Sequence, residues 1–188
     1  REKMVAALKK LKQSVNPSYL PNQMAAFAIS GHKCSQLRRL FMTHPPLEER
    51  LEAYEDIIDS EVGDTAFIRA RNIEREVSLR QIYLKFEGSN PTGTQKDRIA
   101  FTQAMDALRR GFDTINVATC GNYGVAMALA AKFAGLRSRI HIPGKYHTRR
   151  IQEMHDLGAE IVRVTGDYER AVMVSSEEAH QHEYYDAN

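Results

Sequence analysis

The sequence predicts an α/β fold: a parallel three-layer βαβ sheet preceded by a small helical segment. Three observations predict it. From about residue 62, short apolar runs of strand length alternate with longer runs of helical spacing. The connections are short and several close on glycine, which implies right-handed crossovers and a parallel sheet covered on both faces. Residues 1–56, by contrast, are charged, carry helical spacing and never alternate like a strand.

In chain order, Met4, Val5, Leu8 and Leu11 recur at helical spacing until Asn16-Pro17 and Pro21-Asn22 break the pattern. Leu37, Leu40 and Phe41 predict a second short helix, ended by His44-Pro45-Pro46. A third covers Glu48–Ile58, with Leu47, Leu51, Tyr54 and Ile58 on one face. The α/β section then opens with a strand at Ile82–Phe86, followed by a polar loop, Ser89–Gln95. A helix is expected over 96–110, buried along Ile99, Ala100, Ala104, Ala107 and Leu108 and stopped by Gly111. Strands at 114–118, 138–142 and 160–164 alternate with helices at 125–134, 149–157 and 168–182.

The chain has 188 residues, 43% hydrophobic and 27% charged, enough for a sizeable core. A net charge of +2, from 26 basic and 24 acidic residues, argues against a nucleic-acid stripe or a polybasic membrane anchor. Cys34 and Cys120 make no disulfide framework and fit a reducing, cytoplasmic compartment. The longest apolar run, Val125–Leu136, is broken by Lys132 and falls short of the roughly 18 residues of a membrane span. Arg1-Glu2-Lys3 leads into no signal peptide, and the absence of an opening Met is read as an internal or processed piece.

In parallel sheets, ligands bind beyond the carboxyl ends of the strands. That rule directs attention to the loops Ser89–Gln95 and Thr119–Gly124. Asn90-Pro91 and Thr92-Gly93 turn the first loop sharply, Thr94 is the expected N-cap, and Lys96 falls in the first helical turn. A lysine there is poorly placed for the helix dipole. A neutral, partly buried lysine at such a point is what Schiff-base chemistry requires. Position alone equally describes a surface lysine beside Asp97 and Arg98. In the second loop, Gly121 and Gly124 are expected to let the backbone approach a ligand, and the helix start offers free N–H groups to an anion. Asn122 adds a donor and an acceptor.

Phe86-Glu-Gly-Ser-Asn-Pro-Thr-Gly-Thr-Gln-Lys-Asp-Arg98 and Thr119-Cys-Gly-Asn-Tyr-Gly124 carry a resemblance. Residues 57–188 resemble the start of the fold-type II pyridoxal-phosphate (PLP) enzymes, which include threonine synthase, cysteine synthase and tryptophan synthase β. The first motif is most similar to threonine synthase. Gly63-Asp64-Thr65-Ala66-Phe67 resembles the family's opening Gly-Asn/Asp-Thr-Pro-Leu, with Ala66 in place of proline. The resemblance implies that Lys96 forms the imine with PLP and that Asn122 bonds the cofactor's ring hydroxyl. It places Thr119, Cys120 and Gly121 against the carboxylate of a small amino-acid substrate. β-Replacement or β,γ-elimination would follow. Cys120 reads as a small buried strand-end residue, Arg98 as a cap on Asp97 or a loop carbonyl, and Arg149 and Arg150 as a solvated helix start.

The family's phosphate cradle is a later glycine-rich loop. The glycines after Gly124 stand isolated at 135, 144, 158 and 166. The chain is therefore expected to be a truncated enzyme, inactive alone and partnered by a second copy or a complementing chain.

Arg1–Lys12 and Leu40–Arg50 resemble the C-terminal tail of HtpX-type membrane zinc metallopeptidases. No His-Glu-x-x-His occurs among the seven histidines, and His180 and His182, two apart, do not share a helix face, so no metal site is expected. The alternatives are thus a remnant of such a peptidase, without its zinc site, and a non-catalytic α/β module. The expected boundary runs between a helical segment, 1–56, and the enzyme-like domain, 57–188, as a fusion, a gene remnant or an assembly artefact.

Overall fold

A computed structural model describes residues 46–188. The helices expected near residues 4–11 and 37–41 lie outside the described residues. The element order is α1 (Leu47–Glu61), β1 (Phe67–Arg69), α2 (Arg71–Val77), β2 (Tyr83–Lys85), α3 (Lys96–Arg109), β3 (Thr114–Ala118), α4 (Asn122–Ala134), β4 (Arg137–Pro143), α5 (Arg150–Asp156), β5 (Glu160–Val164), α6 (Tyr168–His182) and β6 (Tyr185–Asp186).

β3 to β6 form a four-stranded sheet in the order β5-β4-β3-β6. All its neighbours are parallel, with Val117 opposite Ile140 and Ile140 opposite Ile161. The side-chain period of two sorts this sheet into two environments. Ile115, Val117, Ile140 and Ile142 point into the main apolar core with α1, α3 and α4. Asn116, Arg139 and His141 point the other way, onto α6. Asn116 Nδ2 donates to the Ser175 carbonyl at 2.7 Å, and Arg139 pairs with Glu178 at 2.7 Å. The buried His141 ring sits 2.7 Å from Glu178, and its burial lowers its pKa against the pull of that carboxylate. The sheet thus has one greasy layer and one polar layer.

Helix ends follow from glycine chemistry. At Gly111 and Gly135 the chain takes positive φ (78° and 67°), and the next amides reach back to Ala107 and Ala131. Glu183 (φ 56°) takes the same left-handed position after α6 without being glycine. α6 starts on an Asp167 side chain that accepts from the Arg170 amide at 2.9 Å.

Three differences from the sequence reading matter. First, the strand expected at 82–86 does not join the parallel sheet. β2 pairs antiparallel with β1 in a separate two-stranded ribbon, with Ile68 opposite Leu84. The sequence pattern missed β1 and α2 because three-residue strands and a seven-residue helix are too short to display a period. Second, α4 begins at Asn122 rather than 125, so the loop before it is shorter and Asn122 is helical. Third, α1 crosses the expected boundary near residue 56. Tyr54 is 1% exposed in the core, stacks on Phe101 at 5.9 Å, and donates to the Ala130 carbonyl at 3.2 Å.

Candidate active site

The lysine loop is held by its own side chains. Asp97 is completely buried, and its carboxylate accepts from the Thr92 amide at 3.0 Å and the Thr92 hydroxyl at 2.7 Å. The Thr94 hydroxyl accepts from the Lys96 amide at 3.1 Å, so it caps α3 as expected, although Gln95 is the residue flanking the helix. Asn90, 4% exposed, donates to Glu87 and accepts from the Gly63 amide at 2.9 Å.

Arg98 ties this loop to residues 63–65. Its guanidinium grips both Glu87 oxygens (2.8 and 3.0 Å), the Gly63 carbonyl (2.9 Å) and the Thr65 hydroxyl (3.2 Å). It therefore holds a loop carbonyl and not Asp97. The hydrogen bonds from Arg98 hold the Glu87 carboxyl down at about 2. Glu87 and Asn90 position the loop together with Arg98, and the sequence reading gave neither of the two a role.

Lys96 is exposed, not partly buried as expected. It opens α3, which turns back at Gly111 into β3 and so runs antiparallel to that strand. The start of α3 therefore lies toward the end of β3, where α4 begins, and the lysine loop reaches this end through α3 rather than through a sheet strand. α3 and α4 pack along each other. Tyr123, in the first turn of α4, bonds the Gln103 side chain and the Ala187 carbonyl. Gln103 lies on the same face of α3 as Lys96 and about 10 Å further along the axis. Among the described residues, neither the Lys96 ammonium nor the Asn122 amide has a hydrogen-bond partner, and no bond joins the two.

The second loop splits into two kinds of glycine. A Cβ at Gly121 would meet nothing within 4 Å, so that backbone borders open space. A Cβ at Gly124 would lie 2.5 Å from Met154 Cε and 3.1 Å from Thr119 Cγ2. Gly124 thus serves the packing of α5 on α4 and not a ligand's approach. Gly124→Ala is expected to cost about 1–3 kcal/mol by overpacking, while Gly121→Ala stays within about 0.5 kcal/mol. Equal midpoints in urea for the two variants would refute this division. Thr119 is buried, its amide bound to the His141 carbonyl at 3.1 Å. Cys120 is half-buried rather than buried, and desolvation pushes its thiol pKa up, away from a nucleophile's.

These residues fit part of PLP. An unpartnered lysine and an unpartnered asparagine open two packed helices, beside a backbone that leaves space. The phosphate finds no such fit among the described residues. Gly135 and Gly158 terminate helices in left-handed conformation, Gly166 (φ 129°) turns the chain before α6, and Gly144 hydrogen-bonds the Val164 carbonyl at 2.7 Å. Every glycine after Gly124 is committed to a turn or a packing contact.

Residues 58–188 match the family described as "Pyridoxal-phosphate dependent enzyme". Cysteine synthase B of Escherichia coli (strain K12) is 31% identical over 112 residues, covering 57% of this chain and 37% of that protein. A 53-residue stretch is 64% identical to the Protease HtpX homolog of Nitrosomonas eutropha (strain DSM 101675 / C91 / Nm57), covering 28% of this chain and 18% of that protein. The chain therefore spans well under two thirds of either relative. The crystal structure of O-ureido-L-serine synthase superposes with a TM-score of 0.60 at 28% identity, over 70% of this chain and 42% of that one. Among the described residues, no helix is long and apolar enough to cross a membrane, and no group of His, Cys, Asp or Glu could hold a metal ion.

Proposed function

We propose, from the premise that the chain belongs to the pyridoxal-phosphate dependent enzymes, that it is the lysine-bearing part of an amino-acid lyase or synthase and is inactive without further polypeptide. The observation that carries this reading is the pair Lys96 and Asn122: both unpartnered, both opening packed helices toward one edge of the sheet. Bound PLP supplies an electron sink for charge developed at the α carbon of an amino acid. The protein supplies the rest. The Lys96 amine would hold the cofactor's carbonyl end and, once the substrate's amine has displaced it, would exchange a proton at the substrate's α carbon. The Asn122 amide orients the ring hydroxyl. Thr119, Cys120 and Gly121, with the free N–H groups that start α4, bind the substrate carboxylate. Arg98, Glu87 and Asn90 act through the loop that carries Lys96.

Threonine-synthase-like specificity, and with it β-replacement or β,γ-elimination, rests on the motif Phe86–Arg98. A domain beginning at Leu47, rather than at 57, rests on α1 being part of the core. A cytoplasmic setting goes with this reading. The HtpX-like stretch covers too little of that peptidase, and includes no His-Glu-x-x-His, to support a peptidase role.

The test is cofactor loading. Purified chain mixed with PLP is expected to show no stable visible absorbance band of bound cofactor, because half of a cleft leaves the site wet. A stable band in this chain that vanishes in Lys96→Ala would refute inactivity and support the role of Lys96. A stable band that survives Lys96→Ala would refute both.

A further inference from the structure

The residues that α6 buries are all small: Ala171, Ser175 and Ala179. The apolar cluster it shares with the sheet is Ala118, Val164 and Ala171, separate from the main core. Apolar stabilisation scales with buried area, so these few methyl groups hold the helix weakly. The rest of the contact is polar. Asn116 donates to the Ser175 carbonyl, and Glu178 meets Arg139 with one oxygen and the His141 ring with the other.

This polar layer is incompletely satisfied. Asn116 Oδ1, Arg139 Nε, Glu178 Oε2 and both His141 ring nitrogens are enclosed without an aligned hydrogen bond, although Nε2 lies 2.7 Å from Glu178 Oε2. Among the described residues, the other enclosed side-chain atoms in this condition are two nitrogens of Arg150, so unmet polar groups collect between α6 and the sheet.

Histidine is the side chain whose charge changes between about pH 5 and 8. Each element around His141 brings its own groups. β3 brings Asn116 and Ala118. β5 brings Val162 beside the ring and Glu160, which pairs with Arg139. β6 adds the exposed Asp186 beyond Asn116. α6 brings Glu178, and Tyr168, whose hydroxyl donates to the Ala118 carbonyl at 3.2 Å. A protonated ring carries two N–H donors, and only Nε2 has an acceptor near it. The added charge would be shut away from water, with the Arg139 guanidinium already on Glu178. Burial therefore holds the ring below its ordinary value near 6.5, against the pull of Glu178. The contact is intact above that pH and weakens as pH falls below it, because the opened form takes up the proton first.

We infer that His141 and Glu178 form an acid-released latch: in mild acid α6 leaves the sheet while the main core stays closed. The inference does not depend on the chain binding PLP. The latch does sit at the root of the Thr119–Gly124 loop. Tyr168 of α6 holds the Ala118 carbonyl, and the His141 carbonyl holds the Thr119 amide at 3.1 Å.

The experiment follows amide hydrogen exchange of the 188-residue chain by residue, corrected for the intrinsic pH dependence of exchange. Between about pH 7.5 and about pH 5.5 the opening equilibrium of α6 is expected to rise about five- to tenfold, as uptake of one proton by the open form requires, with α4 unchanged. His141→Val removes the titration and leaves Arg139 paired with Glu178. Its α6 opening is expected to change by less than about twofold over the same range, and protected α4 amides show that it is folded. Titration of the His141 ring in the unaltered chain, followed by nuclear magnetic resonance, needs no variant and is expected to fall below 6.5. No rise in α6 opening, an equal rise in His141→Val, a loss of α4 protection as large as that of α6, or a ring that titrates at or above 6.5 each overturns the inference.

Discussion

Asp97→Ala is expected to destabilise the protein by about 3 kcal/mol, although the residue neighbours an exposed lysine and lies in a loop-to-helix junction. Its carboxylate is completely buried and accepts two hydrogen bonds from one residue, the Thr92 amide and hydroxyl. Hydrogen bonds to charged groups are worth about 1.5–3 kcal/mol each, and water recovers part of the loss because Thr92 is half-exposed. The carboxylate also favours the positive start of α3. Asp97→Asn keeps the shape but gives one amide N–H a donor to face, so about half the loss should remain. Urea denaturation of the three proteins measures it. A loss under about 1 kcal/mol in Asp97→Ala would mean that Asp97 does not hold the loop, and that Lys96 is positioned by Arg98 alone.

Tyr54→Ala is expected to cost about 3–5 kcal/mol, the range for deleting a buried aromatic side chain. Tyr54 is 1% exposed, stacked on Phe101 and bonded to the Ala130 carbonyl. Tyr54→Phe should cost only about 1 kcal/mol, the value of one neutral hydrogen bond. The same residue tests the domain boundary. A chain beginning at Ile57 lacks Tyr54 and the Arg50 guanidinium, which bonds the Ala134 carbonyl at 2.8 Å at the end of α4. A chain beginning at Leu47 retains both. The shorter chain should melt well below the longer one. Equal melting temperatures would return the boundary to the neighbourhood of residue 57.

Much of the fold was legible because it obeys short-range rules. The strands 114–118 and 160–164 and the helix 168–182 stand where the pattern puts them. Each is a periodic run bounded by turn residues, and one long amphipathic helix needs no distant information. β1, and the pairing of the expected strand β2, resisted because an exposed three-residue strand pairs by tertiary accident of proximity, not by pattern. The pairing of β2 with β1 also corrected the reason the lysine loop reaches the carboxyl edge. It arrives by the antiparallel run of α3 and not by a strand of the sheet.

The site divides in the same way. The motifs that carry Lys96 and Asn122 stand out in the sequence because each coincides with a helix start, and a site at them is a proposal. The Glu87–Arg98 pair does not stand out, since an ion pair eleven residues apart across a turn leaves no periodic trace. Gly124 looked like a ligand-facing glycine until Met154, thirty residues later, proved to fill its space.

By itself, then, the sequence determined the alternation of helices and strands, the presence of the lysine motif and the isolation of the later glycines, all of which are local. Tertiary structure alone decided that α1 belongs to the core, that Gly124 is a packing residue, and that β2 pairs with β1 outside the parallel sheet. The physical reason is the same in each case: burial is a property of what packs against a residue, and the packing partner lies far away in the chain.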